Sequence, residues 1–195
     1  MRVDSSTGLM QGARYLASPN CDYRPNEEQP SLLVIHGISL PPGEYGGPWI
    51  DALFTNTLDP QAHPYFAAIH QLRVSSHLLI RRDGERLQYV PFNKRAWHAG
   101  LSSYQGREHC NDFSVGIELE GADDEAYEPV QYRVLAESIA ALLAAYPELS
   151  AERITGHSDI APGRKTDPGP HFDWSRFHQL LEDVILAKHQ ASIDT

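Results

Sequence analysis

The strongest helical period in the chain lies between residues 129 and 146. Val130, Val134, Leu135, Ile139, Leu142 and Leu143 recur at spacings of one helical turn, which gives the segment one apolar face. Pro147 closes it. A second helix is predicted from Trp174 to Ala187, and shorter ones from Trp49 to Phe54 and from Pro64 to Leu72. Strands follow a different pattern. Leu32-Leu33-Val34-Ile35-His36 is a compact apolar run between Pro30 and Gly37, and reads as a buried strand ending on a histidine. The runs from Arg73 to Ile80 and from Leu87 to Val90 flank Arg82-Asp83-Gly84-Glu85, whose Asp-Gly pair accepts positive φ and predicts a hairpin. Residues 113–121 alternate, with Val115, Ile117 and Leu119 on one side and Glu118 and Glu120 on the other. That pattern predicts a strand with one buried face.

Strands mixed with helices, one hairpin among them, predict an α/β fold: a single domain with a mixed central β-sheet flanked by helices. The expected division is a surface-wrapping segment over 1–30, the domain over 31–187 and a charged tail over 188–195. The formal net charge of −10 leaves no basic stripe for a polyanion, so nucleic acid is not an expected partner. No apolar run has the length of a membrane span, and Met1 to Ser6 shows no secretory pattern. Cys21 and Cys110 form no Cys-x-x-Cys and are expected as reduced thiols. A soluble, cytoplasmic, monomeric protein is the expectation.

The segment from Ile154 to Gly169 changes this picture. It sets His157, Lys165 and Asp167 on a stretch rich in proline and glycine. Imidazole and carboxylate are zinc ligands, and a catalytic zinc keeps three protein ligands and one open position. His36 at its strand end, His157 and Asp167 make such a set. A hydrolytic site also needs a base, and both Glu118 and Glu120 qualify from their strand face. Lys165 is placed to stabilise an oxyanion. Of the other histidines, His98 is expected to line a pocket, while His63, His70 and His77 read as surface or hydrogen-bonded core residues. The long loop at 37–48 beside His36 is a further functional hint.

Several longer runs then match a known family. They are Ser31 to His36, Ile38 to Gly43, His63-Pro64-Tyr65-Phe66, Arg95 to Gly100, Gly106-Arg107-Glu108, Cys110 to Ser114, Gly116 to Gly121 and Arg164 to Pro170. In that order they resemble the zinc-dependent N-acetylmuramoyl-L-alanine amidases, in particular the AmpD-type 1,6-anhydro-N-acetylmuramyl-L-alanine amidases. These share a broad fold with T7-type lysozyme amidase and the peptidoglycan recognition proteins. The resemblance implies Zn2+ on His36, His157 and Asp167, with Glu118, not Glu120, as the catalytic base and Lys165 as the catalytic lysine. It implies substrate contacts at Arg73, Ala96 and Arg107. Gly37 stands where the family usually has an asparagine that contacts substrate, and Gly163 where it usually has a glutamate before the Arg-Lys pair, which implies a looser loop around Lys165. The implied substrate is a muropeptide, cut between the lactyl group of anhydro-muramic acid and L-alanine during cell-wall recycling, with a consequent influence on β-lactamase induction. No organic cofactor is implied.

Overall fold

The computed structural model describes residues 1–193, with side chains through residue 190. Before the core, short strands β1 (Val3–Asp4), β2 (Leu9–Met10), β3 (Arg14–Tyr15) and β4 (Cys21–Tyr23) lie along the surface. They are followed by β5 (Leu32–Ile38), helix α1 (Trp49–Phe54), helix α2 (Phe66–Ile69), β6 (Leu78–Ile80), β7 (Arg86–Gln88) and β8 (Lys94–Ala96). Then come β9 (Ser103–Tyr104), β10 (Arg107–Glu108), β11 (Ser114–Glu120), α3 (Pro129–Ala145), β12 (Ile154–Gly156), α4 (His157–Ile160) and α5 (Trp174–Ile193).

The main sheet has six strands in the order β12-β5-β11-β6-β7-β3. It is mixed: β12, β5, β11 and β6 run parallel, and β7 returns antiparallel to β6. The predicted hairpin is the β6–β7 connection, and Gly84 takes φ +90° in its turn. On one face, Leu33, Ile35, Val115, Ile117 and Leu119 pack with Leu135, Ile139 and Leu142 of α3 and with Phe177 and Leu181 of α5. These apolar atoms leave water together, which is the main driving force for the fold.

Four expectations change. Strand β11 is buried on both faces, so Glu118 is only 8% exposed and Glu120 only 2%. The second face is covered by residues from distant parts of the chain, with His98 over Gly116 and the 37–48 loop against Glu120, a long-range event that a local alternation does not record. Glu120 is satisfied there by Arg81 Nη1 at 3.0 Å and by the Gly46 N–H at 2.7 Å. The helix expected over 64–72 is confined to Phe66–Ile69, and the strand expected over 73–80 to Leu78–Ile80. Between them the chain crosses the sheet on single bonds, Ser75 N to Trp97 O and His77 N to Gly116 O. The last helix continues to Ile193, past the predicted end at Ala187 and into the expected tail. The final two tail residues, Asp194 and Thr195, lie outside the described residues. Both cysteine thiols are free. No helix among the described residues is long and apolar enough to cross a membrane.

Candidate active site

Side chains alternate along a strand, and that alternation builds the site. On β5 the even-numbered residues point away from α3, and His36 is the last buried one. In the parallel register Glu118 is the Cα partner of His36, so the two side chains stand side by side on one face. Gly156 pairs with Ile35, so the chain leaves β12 next to the same strand end and delivers His157 as the first residue of α4. Asp167 arrives from the loop after α4, tied down where Ser158 N donates to Asp167 O at 2.9 Å. These groups sit at the carboxyl ends of parallel strands, where open α/β sheets bind ligands.

Three atoms that could hold a metal ion meet there. His36 Nδ1 is 2.9 Å from His157 Nδ1, and Asp167 Oδ2 is 3.1 Å from the first and 3.0 Å from the second. Zinc bonds of ~2.0–2.1 Å in tetrahedral geometry separate neighbouring donor atoms by ~3.3 Å, so this triangle is close to the right size. Burial holds His36 neutral, pushed down to about 4, so its imidazole keeps a lone pair at neutral pH. Burial alone would raise the Asp167 carboxyl. The hydrogen-bonded imidazoles of His157 and His36 outweigh it and hold the group well below the ordinary carboxylate range. Three electron-rich atoms so close need a shared proton or a cation among them. Their types, two imidazole nitrogens and one carboxylate oxygen, fit zinc. His157 Nε2 lies 3.2 Å from the Ala99 carbonyl, an acceptor that places the ring proton on Nε2 and leaves Nδ1 to bind.

Glu118, Lys165, His36, His157 and Asp167 line one cleft of about 620 Å³. Burial pushes the Glu118 carboxyl well above the ordinary range, and the negative Asp167 adds to the effect while Lys165 opposes it. Lys165 is exposed at the rim. In its loop Arg164 N and Lys165 N both donate to Ala161 O at 3.1 Å, and Gly163 supplies the positive φ that the turn requires. The far wall is apolar, with Leu40, Leu53, Phe54, Ile69, Leu72 and Val74. Asp159, a conceivable alternative ligand, is occupied in capping α4 through Gly156 N at 2.8 Å and Thr155 Oγ1 at 3.0 Å.

The model of the N-acetylmuramoyl-L-alanine amidase family matches residues 26–170. The chain belongs to that family. It is an amidase, a hydrolase of amide bonds. It is 66% identical to the 1,6-anhydro-N-acetylmuramyl-L-alanine amidase AmpD of Escherichia coli K12 over 174 residues, 89% of this chain and 94% of that protein. Its fold matches the crystal structure of a selenomethionine AmpD derivative with TM-score 0.90 at 65% identity, covering 93% of this chain and 99% of that one. A further neighbour is the amidase AmiD of E. coli in complex with its substrate anhydro-N-acetylmuramic acid-L-Ala-D-γ-Glu-L-Lys. It has TM-score 0.57 and 29% identity, and the match covers 88% of this chain and 60% of that one.

Within this amidase the residues expected to touch substrate divide. Gly37 lines the cleft, but a Cβ built there would lie 2.2 Å from the Tyr127 hydroxyl, which donates to Pro168 O at 2.9 Å. The volume of an asparagine side chain is therefore held by Tyr127, a residue the sequence did not single out. Arg73 is exposed and caps the carbonyls of Gln71 and Leu72, while its neighbours Leu72 and Val74 line the cleft. Ala96 is buried in β8, next to the cleft residue Trp97. Arg107 is drawn away from the cleft. It forms a two-pronged pair with Glu28 and lies over the Phe113 ring at 4.0 Å. His98 lines the cleft as expected, and His77 is a buried, hydrogen-bonded core residue.

Proposed function

We propose that this amidase hydrolyses the amide between the lactyl group of 1,6-anhydro-N-acetylmuramic acid and L-alanine, acting on free muropeptides in the cytoplasm during peptidoglycan recycling. The observation that carries the reading is the triangle of His36, His157 and Asp167 at 2.9–3.1 Å, set in one cleft with Glu118 and Lys165. The AmpD relatives named above support the anhydro sugar, and the AmiD complex supports a muropeptide ligand.

His36, His157 and Asp167 would hold the zinc ion. When bound, zinc acidifies water toward a pKa of ~7 and polarises a carbonyl. Glu118 takes the proton from the attacking water on its carboxylate oxygen. None of the described side chains donates a hydrogen bond to Glu118, so its oxygens are free for this task. The water oxygen adds to the lactyl carbonyl carbon. Lys165 places its ammonium against the negative charge gathering on the carbonyl oxygen, an effect of ~3 kcal/mol for one well-placed donor. The C–N bond then breaks, and Glu118 passes its proton to the leaving alanine nitrogen. The products are the lactyl carboxylate and a peptide with a free amino terminus. Burial serves both halves of this cycle, since a carboxyl raised toward neutrality both accepts and returns a proton. Arg73 and Arg107 match substrate carboxylates, because a guanidinium fork suits a carboxylate. For Arg107 that role requires leaving Glu28. Lower muropeptide levels would in turn restrain β-lactamase induction.

The test is direct. Zinc-loaded protein is incubated with anhydro-muropeptide and, separately, with intact sacculi, each with and without chelator, and products are read by mass. Chelator-sensitive release of stem peptide from the anhydro-muropeptide is expected. Release from sacculi at an equal rate would remove the proposed substrate class, and no release from either would sink the reading.

A further inference from the structure

A ring nitrogen that carries a proton has no lone pair for a metal, so each ligand histidine must be held in one tautomer. A backbone carbonyl does this for His157. Among the described residues, no carbonyl partners the outer nitrogen of His36. Its Nε2 lies 2.9 Å from Nδ1 of His98, and from that contact alone either ring is a possible donor.

The direction is decided two bonds further out. His98 Nε2 is 3.1 Å from Ser114 Oγ, and Ser114 Oγ is 2.5 Å from the Cys110 carbonyl oxygen. Two oxygens that close hold a proton between them, and a carbonyl has none to give. Ser114 therefore donates to Cys110 and has only acceptor capacity left toward His98. His98 carries its proton on Nε2, its Nδ1 is an acceptor, and His36 donates from Nε2. The lone pair of His36 is left on Nδ1, facing His157 and Asp167. None of the hydrogen-bond partners of His98 is a carboxylate, so nothing in contact with it favours a second ring proton.

The ring is also held mechanically. Asn111 Oδ1 accepts from the backbone N–H of His98 at 3.1 Å and of Ala99 at 2.8 Å. Beneath the ring lies Gly116 of β11, where a Cβ would stand 2.5 Å from His98 Cγ. Ser114, Gly116 and Glu118 alternate onto the same face of one strand, so β11 carries the end of the relay, the seat of its ring and the base.

We propose that His98, oriented by Ser114, is a positioning residue that locks His36 in the tautomer whose Nδ1 binds the metal ion. The proposal rests on the reading of His36, His157 and Asp167 as the metal centre.

The experiment has two readouts. In metal-free wild-type protein labelled with 15N-histidine, long-range 1H–15N spectra report which nitrogen of His98 bears the proton, a readout one residue removed from the His36, His157 and Asp167 triangle. Nε2 is expected; a proton on Nδ1 overturns the relay. Zinc affinity is then measured by competition with a chelating dye. His98→Leu is expected to weaken binding about 10–100-fold, the range for lost outer-shell partners. His98→Gln, whose amide oxygen can accept from His36, should recover part of the loss. Ser114→Ala should leave the fold intact and give a mixture of His98 tautomers. Unchanged affinity in a folded His98→Leu variant, or a pure Nε2–H signal in Ser114→Ala, overturns the proposal. A wild-type chain that binds no zinc removes the metal-centre reading instead, while the tautomer of metal-free His98 still judges the relay.

Discussion

In the proposed mechanism, single residues carry separable parts of the chemistry. Glu118→Gln keeps the shape of the cleft and all three ligands, so zinc content by metal analysis should stay stoichiometric while turnover falls by at least ~10²-fold, the usual contribution of a positioned base. Wild-type rates in that variant would move the base elsewhere. Asp167→Ala removes one corner of the triangle, and the expected result is loss of bound zinc on dialysis. Because Asp159 is committed to capping α4, it is not expected to substitute. Lys165→Ala should lower kcat by ~10²–10³-fold with little effect on metal content, the range for one lost oxyanion donor. The pH profile follows from burial of Glu118. The group works as a base only when ionised, and its folded value is raised. Activity should therefore fall, as pH drops, at a higher pH than the ordinary value of 4.5. An acid limb at or below 4.5 would contradict this environment.

At the scale of elements, two strands and one loop set the site. Strand β5 provides His36 and strand β11 provides Glu118 in adjacent register, so a slip of one residue would turn either group to the other face of the sheet. The 37–48 loop is anchored over β11 by Glu120 through the Gly46 N–H, and by Tyr45, which donates to Glu125 and lies against Arg82. Glu120 is in turn matched by Arg81, with both side chains under one-tenth exposed. Removing one partner of a buried pair leaves an uncompensated charge, which costs about 3–5 kcal/mol. Arg81→Ala should lose stability of that order in urea unfolding and should loosen the loop over the cleft, raising KM more than it lowers kcat. A loss below 1 kcal/mol would show that the remaining hydrogen bonds to Glu120 suffice.

At the scale of the molecule, the metal-free protein should be sensitive to mild acid. Burial holds His36 down to about 4, His77 down to about 3 and His98 well below the ordinary 6.5. Between about pH 6.5 and 4.5 the unfolded chain binds protons at these three sites and the folded chain does not. Glu118 acts in the opposite direction, since its raised folded value lets the native state bind a proton first. Three imidazoles against one carboxyl leave a net uptake on unfolding, so stability should fall as pH falls, by about 1.4 kcal/mol per unit for each net proton. Thermal melts of chelated protein from pH 7.5 to 4.5 would measure it, and a flat profile would refute it.

Much of this protein is decided by local sequence. The helix over 129–145, the hairpin at Asp83-Gly84 and the strand ending at His36 follow from apolar period and turn chemistry, which act over a few residues. His157, Lys165 and Asp167 were legible for the same reason, since they share one short segment rich in proline and glycine. Tertiary structure decided the rest, because the deciding contacts join distant parts of the chain. Glu118 and Glu120 look alike on an alternating strand. Only the register with His36 and the pair with Arg81 separate the residue in the cleft from the one that anchors a loop. The bond from His98 to His36 and the Tyr127 hydroxyl above Gly37 likewise depend on packing across the sheet. Local period fixes which face a side chain takes, but which groups meet on that face is set by strand order and register.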